Sequence, residues 1–288
     1  MGEGKALGAG KGACHDAGSL PRLPHPGRAV LTTVMPRMRP KPNATPDDLA
    51  FGVNPCAMAL EAGAAKSLFY YGDTKNERVL ALVRQAREQG VNVQPVDPAR
   101  LDELTAEGVH QGVLVRLRNL EPADLGAIAK SAGKSSLVIL LDRVTDPQNL
   151  GAVLRTAVAV GADAIVLPPR RGALLTPGVH RASAGLSFIA PVCAPQNLNQ
   201  AIRELKDAGF WVVAADAGEG SQSATAFDWP AKTALIVGSE GEGVGQLLRR
   251  ESDFVVALPM DPRVESLNVG VATGALAYLW RRQWPLPE

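Results

Sequence analysis

Apolar and polar positions alternate in two blocks along this chain, and the first 46 residues belong to neither. Residues 1–46 are rich in Gly and Pro, with scattered Lys and Arg and almost no periodic apolar pattern. That composition predicts a disordered tail. Periodicity begins after it. Pro46-Asp47-Asp48 predicts a helix start whose Ala57, Leu60 and Ala64 share one side. Ser67–Tyr71 reads as a short strand. From Asn76 to Glu88, Val79, Leu80, Leu82 and Val83 sit among charged residues, and Gly90 closes the segment as a helix C-cap does. Val91–Val96 alternates as a strand does, and Val113–Leu117 is another. Residues 47–118 thus predict a small α/β unit.

Residues 119–134 read as a linker with a short helix, and a second unit spans 135–288. Ser136–Leu141 is a continuous apolar run, as expected of a strand buried on both faces. Asp146-Pro147 supplies a capping side chain and a Pro at the first helical position, and the helix should run to Val160 with Gly161 closing it. Strands are predicted at Ala164–Leu167, Phe210–Ala215, Ala234–Val237 and Phe254–Leu258, with helices at 197–208 and from Leu267 to Arg282. This alternation implies an α/β fold with a mostly parallel sheet covered by helices.

Composition narrows the class. The chain has 288 residues, 46% of them hydrophobic, and a net charge of +1. Near-neutrality argues against binding nucleic acid by bulk charge alone but leaves room for a local basic patch. No apolar run reaches the length of a membrane span, so no membrane is expected. Cys14, Cys56 and Cys193 are widely spaced, which predicts neither a disulfide framework nor a zinc site and suggests a cytoplasmic, reducing setting. His15, His25, His110 and His180 form no metal-ligand spacing, so no metal is expected. Met35 and Met38 are alternative starts, and the tail is expected to be dispensable.

Three signatures carry candidate chemistry, each where a strand hands over to a loop or helix, the place where open α/β sheets bind ligands. Gly133-Lys134-Ser135 is not one of them, because it precedes a strand and Ile128 stands where a P-loop needs Gly. The first signature is Asn149 to Arg155. The two lie about 600° apart around a helix and about 9 Å along it. Gly151 between them allows close approach of another chain or a ligand. Arg155 reads first as a surface charge leaving a core helix; the alternative is a guanidinium gripping phosphate or polarising a hydroxyl. The second is Gly238-Ser239-Glu240-Gly241-Glu242-Gly243, either a plain connection or a backbone wall for a flat cofactor. Glu240 is the charge that a connection alone does not require. The third is Leu258-Pro259-Met260 followed by Ser266-Leu267-Asn268. Ser266 is a natural N-cap, and Leu258, Met260 and Leu267 would frame an adenine ring.

Together these signatures resemble, in content, order and spacing, the SpoU/TrmH family of RNA ribose 2′-O-methyltransferases over residues 135–283. Upstream, Phe51–Glu61 and Val109–Val115 resemble the ends of an L30e-like substrate-binding domain. Within the family the arrangement is most similar to enzymes methylating a guanosine 2′-hydroxyl in bacterial 23S ribosomal RNA. The resemblance implies a trefoil-knotted C-terminal domain, an exception to un-knotted topology. It also implies S-adenosylmethionine as cofactor, RNA as substrate and a homodimer with sites at its interface. Carried over by position, Gly238, Leu258 and Leu267 would contact the cofactor, with Gly241 and Met260 nearby. Asn149, Arg155, Glu240, Ser266 and Asn268 match the positions associated with activity. His110, with Gln111 and Gly112, belongs to the pattern. Two positions depart from it: Gly270 replaces a common Ser, with helix packing as the expected effect, and Ala184–Phe188 replaces a Gly-Ala-x-Glu-like segment.

Arg143, Arg155, Arg170, Arg171 and Arg181 fall within forty residues, which suits a polyanionic substrate. Two other readings share the scaffold. One is the same chemistry on tRNA or another ribosomal nucleotide. The other is a non-catalytic RNA-binding or assembly factor, against which the intact Asn149, Arg155, Ser266 and Asn268 set argues.

Overall fold

The computed structural model describes residues 46–168 and 175–286. The expectations for the tail before Pro46, and for Arg170 and Arg171, lie outside the described residues.

The first block folds as β1 (Leu49–Phe51), α1 (Val53–Glu61), β2 (Ala65–Tyr71), α2 (Glu77–Glu88), β3 (Asn92–Val96), α3 (Pro98–Thr105) and β4 (Val113–Leu117). Its sheet has the order β1-β4-β2-β3, with β4 antiparallel to both neighbours and β2 parallel to β3. The first helix begins at Val53, not near Pro46. Leu49–Phe51 is fully buried and pairs with β4, while Asp48 reaches Arg116 at 3.4 Å. Gly52, at φ +92°, turns the chain from that strand into the helix.

The second block contributes α4 (Leu125–Ser131), β5 (Ser136–Asp142), α5 (Pro147–Ala159), β6 (Ala164–Val166), α6 (Pro177–Ala182), β7 (Val192–Cys193), α7 (Leu198–Asp207), β8 (Trp211–Ala215), β9 (Gln222–Ser223), β10 (Lys232–Gly238), α8 (Gln246–Glu251), β11 (Phe254–Ala257) and α9 (Val269–Gln283). The strands form one sheet of order β7-β6-β5-β10-β8-β11-β9, and every pairing is parallel. The apolar run of β5 divides by parity, as a strand's side chains must. Leu137, Ile139 and Leu141 join the core under α5 and α9, while Val138 and Leu140 join the one under α4 and α7.

Both helices behind the cleft are capped by side chains. Asp146 accepts from the Gln148 and Asn149 N–H groups at 3.3 and 3.4 Å. In α9 the cap is Asn268, which accepts from Gly270 and Val271 N–H at 3.0 and 3.3 Å. This corrects the expectation that Ser266 caps a helix starting at Leu267. The far ends of the two helices are tied by Arg281, whose Nε donates to Val160 O at 2.8 Å.

Glycines let the helices close on each other. A Cβ on Gly151 would lie 2.4 Å from Ala182 Cβ, so the partner that approaches is α6 of the same chain. A Cβ on Gly270 would lie 2.8 Å from Ala152 Cβ, so this departure from the family pattern serves the packing of α9 on α5.

The other departure, Ala184–Phe188, forms the joint between the two sheets. A Cβ on Gly185 would sit 2.8 Å from Met58 of α1. Behind it His180 is buried, stacked on Phe188 at 4.3 Å, with Nδ1 2.8 Å from Ser187 Oγ. Burial pushes this imidazole down to about 4, only partly opposed by a backbone hydrogen bond. The unfolded chain therefore takes up a proton near pH 6.5 that the folded chain refuses until about pH 4. Stability present above pH 6.5 should be lost as pH falls towards 4, by about 3 kcal/mol in all. His180→Gln cannot charge, so its melting temperature should fall less between pH 7 and pH 4.5 than that of the wild type. Equal falls in calorimetry would rule His180 out as the source.

Candidate active site

β10 is apolar from Ala234 to Val237 and ends at Gly238. The following loop folds back on itself, with Gly243 N donating to Ser239 O at 3.0 Å. Gly241 and Gly243 take φ of +82° and +62°, which other residues resist. Two strand-end carboxylates staple the loop from either side. Asp142, at the end of β5, accepts from Gly245 N at 2.9 Å. Asp216, just past β8, accepts from Val244 N at 3.2 Å. Arg143 adds a bond to Gly243 O at 3.1 Å and an ion pair with Glu242. Arg143 adopts φ +59°, a left-handed conformation that its contacts on both sides hold in place.

Glu240 is the hub of the site. Its Oε1 accepts from Asn149 Nδ2 at 2.9 Å, from Asn268 Nδ2 at 2.7 Å and from Val269 N at 3.3 Å. Asn268 Nδ2 also donates to Asn149 Oδ1 at 2.7 Å. Three segments far apart in sequence, the first turn of α5, the glycine loop and the cap of α9, are thereby fastened at one point.

Beside this hub opens a cleft of about 230 Å³ at the carboxyl ends of β10, β8 and β11. Its apolar lining includes Ala215, Leu258, Met260, Leu267 and Leu276, and its acidic rim comprises Asp216, Glu240, Glu242 and Glu265. Of the residues singled out from sequence, Gly238, Glu240, Gly241, Leu258, Met260, Ser266 and Leu267 line it. Asn149 and Asn268 join through Glu240. Arg155 does not: it is exposed on α5, is not among the residues lining the cleft, and makes no hydrogen bond or ion pair with another described residue.

Sequence reasoning missed Asp142, Asp216 and the loop contacts of Arg143. A signal existed for the two acids, since each follows the last apolar residue of a buried parallel strand (Leu141-Asp142, Ala215-Asp216). Among the described residues, no group of three or more His, Cys, Asp or Glu is disposed to hold a metal ion. No described helix is long and apolar enough to cross a membrane.

An all-parallel α/β sheet with an apolar, acid-rimmed cleft at its strand ends defines a protein that binds a small nucleotide-like ligand. The family follows from comparison. Residues 136–278 match the SpoU rRNA Methylase family, and residues 49–123 match the RNA 2′-O ribose methyltransferase substrate binding domain. The chain is 35% identical over 272 residues to an uncharacterized tRNA/rRNA methyltransferase of Mycolicibacterium gilvum, covering 93% of this chain and 86% of the relative. It is 36% identical over 237 residues to the 23S rRNA (guanosine-2′-O-)-methyltransferase RlmB of Xanthomonas campestris, covering 81% and 95%. The crystal structure of an AdoMet-bound rRNA methyltransferase from Sinorhizobium meliloti superposes with a TM-score of 0.70 at 29% identity, over 83% of this chain and 88% of that one. The chain belongs to the SpoU rRNA methylase family and is an RNA methyltransferase.

Proposed function

We propose that this protein transfers a methyl group from S-adenosylmethionine to a ribose 2′-hydroxyl of RNA, with a guanosine of 23S ribosomal RNA as target. The observation that carries the reading is the Asn149–Glu240–Asn268 hub at the edge of the cleft. The Xanthomonas relative supports the target, and the Sinorhizobium structure supports the cofactor. The small unit, 47–118, would bind substrate, and residues 119–134 would link it to the methyltransferase unit, 135–288.

The residues present fit the cofactor. Leu258, Met260 and Leu267 offer apolar surfaces to a purine, and the acidic rim suits a ligand carrying positive charge. When bound, S-adenosylmethionine supplies the activated methyl on a cationic sulfur. The protein's task is then alignment and help for a weakly acidic hydroxyl. Gly238 and Gly241 give the cofactor backbone to lie against. Glu240 fixes the two Asn side chains, and Asn268 with Ser266 orients the ribose. Arg155 cannot act as a base, because guanidinium keeps its proton. It would stabilise the alkoxide that develops as the 2′-hydroxyl proton passes to solvent water.

Arg155 does not line the cleft of its own chain, so on this reading a second copy brings an Arg155 to each site. Exposed Val271 and Tyr278, at 59% and 56% and two turns apart on α9, give a homodimer an apolar face to bury.

The test is transfer of labelled methyl to 23S RNA lacking its modifications, followed by mapping of the labelled nucleotide. Label on one guanosine ribose is expected, with Arg155→Ala reducing turnover at least 100-fold. Arg155→Lys keeps charge but loses the planar fork, and should recover little. Label on a base, or none with cofactor bound, would refute the reading.

A further inference from the structure

Phe51, at the end of β1, is 4% exposed, and its ring supports two features from different parts of the chain. On one side is the loop after α3: a Cβ on Gly108 would lie 2.8 Å from the ring. On the other is Arg181 at the end of α6, whose Cζ stands 5.2 Å from the ring centroid. Arg181 is exposed and pairs with no carboxylate among the described residues. The Phe51 ring lies against the guanidinium while its N–H groups make no hydrogen bond to a described residue, an arrangement suited to receiving a phosphate. α6 in turn packs on α5, whose first turn carries Asn149.

The loop is held in a costly shape. Ala106, Glu107 and Gln111 all take left-handed φ, of 49°, 60° and 54°. Three ties hold it there. His110 Nε2 lies 3.0 Å from Asp102 Oδ1, Gly112 N donates to His110 Nδ1 at 3.0 Å, and Val53 N donates to Gln111 Oε1 at 2.8 Å. What this rigid loop presents is Val109, 73% exposed, the most exposed large apolar side chain among the described residues. A stiff loop with an apolar tip beside a free guanidinium suits single-stranded RNA, whose unstacked bases seek apolar faces while its phosphates seek arginine.

We infer that Val109 and Arg181, braced on the shared ring of Phe51, form one RNA-gripping face across the joint between the two units, with Val109 against a base and Arg181 on a phosphate. Both are positioning residues: they deliver the strand to the cleft and take no part in the transfer. The inference rests on the RNA-methylation reading.

The experiment measures methyl transfer and equilibrium binding with an unmodified 23S RNA transcript, across a range of salt, for wild type, Arg181→Ala, Arg181→Lys and Val109→Ser. Arg181→Ala should raise KM about tenfold with kcat and cofactor affinity unchanged. It should also reduce the slope of log affinity against log salt by about 0.7, the loss of one single-strand phosphate contact. Arg181→Lys should restore the slope. Val109→Ser should raise KM about threefold and leave the slope alone, because it carries no charge. Melting temperatures identify any variant that fails to fold. Wild-type KM and slope in Arg181→Ala would overturn the inference, as would a loss confined to kcat or to cofactor affinity. Wild type that binds the RNA without methylating it would refute the methyl-transfer reading instead, while the binding slopes would still judge this face.

Discussion

Gly238→Ala is expected to disable the protein. Its φ is not the reason, since Gly238 does not take a left-handed conformation. The added Cβ would lie 1.9 Å from Gly243 O, 2.1 Å from Gly243 C and 2.4 Å from Val244 N, all of them backbone. No side-chain rotation relieves such a contact, so the loop must move bodily by more than 1 Å on the order-of-magnitude scale of van der Waals contact. That movement would strain the bonds that Asp142 and Asp216 make to the same loop. A cost of about 3 kcal/mol is expected, with a fall in melting temperature of roughly 10 °C. Cofactor affinity should drop at least 100-fold, because the wall of the cleft is displaced. Calorimetry with a cofactor titration checks both, and a variant that binds S-adenosylmethionine normally would show that the loop tolerates the shift.

Glu240→Ala should divide stability from activity. Glu240 is exposed, so its removal should cost no more than about 1 kcal/mol. Its Oε1, however, is the acceptor shared by Asn149, Asn268 and the backbone of Val269. Without it the two carboxamides lose their shared acceptor, keeping their mutual bond and the capping bonds of Asn268, and the ribose of the proposed reaction would lose its fixed partners. We expect kcat/KM to fall about 100- to 1000-fold with the melting temperature nearly unchanged. Glu240→Gln retains an acceptor oxygen but not the charge, and should lose about tenfold. Wild-type kcat/KM in Glu240→Ala would remove the hub from the mechanism.

The legibility of this fold followed the range of the interactions involved. The Asp146-Pro147 start and Gly161 stop of α5 are local signals, written in adjacent residues, and both hold in the structure. The continuous run of β5 needed only its own burial. Leu49–Phe51 is a strand because β4, more than sixty residues on, supplies its hydrogen bonds; three residues carry no period of their own. The same Asp-Pro signature stands at Asp97-Pro98 and opens α3, whose 8 residues are too few to show a helical period. At the start of α9 the expected cap, Ser266, gives way to Asn268 for a reason outside the local sequence. Asn268 is held in place by Glu240 and Asn149, neighbours in space alone. The candidate site was readable as a set of residue types. Its organisation around Glu240, and the staples at Asp142 and Asp216, depend on strands meeting side by side, which no local pattern records.

The stapled loop also has a bearing on how the chain matures. Its fasteners come from Asp142, 103 residues before the Gly245 it holds, and from Asn149, 119 residues before Asn268. The wall of the cleft therefore cannot exist until β5, β10 and α9 have all docked, and contacts of such long range close late. During synthesis α9, which completes the cleft, is made after β5 and β10. A ligand that binds only the finished wall favours the completed fold over every partial one. S-adenosylmethionine in the surrounding solution would then act as a folding ligand as well as a methyl donor, selecting chains in which α9 has docked.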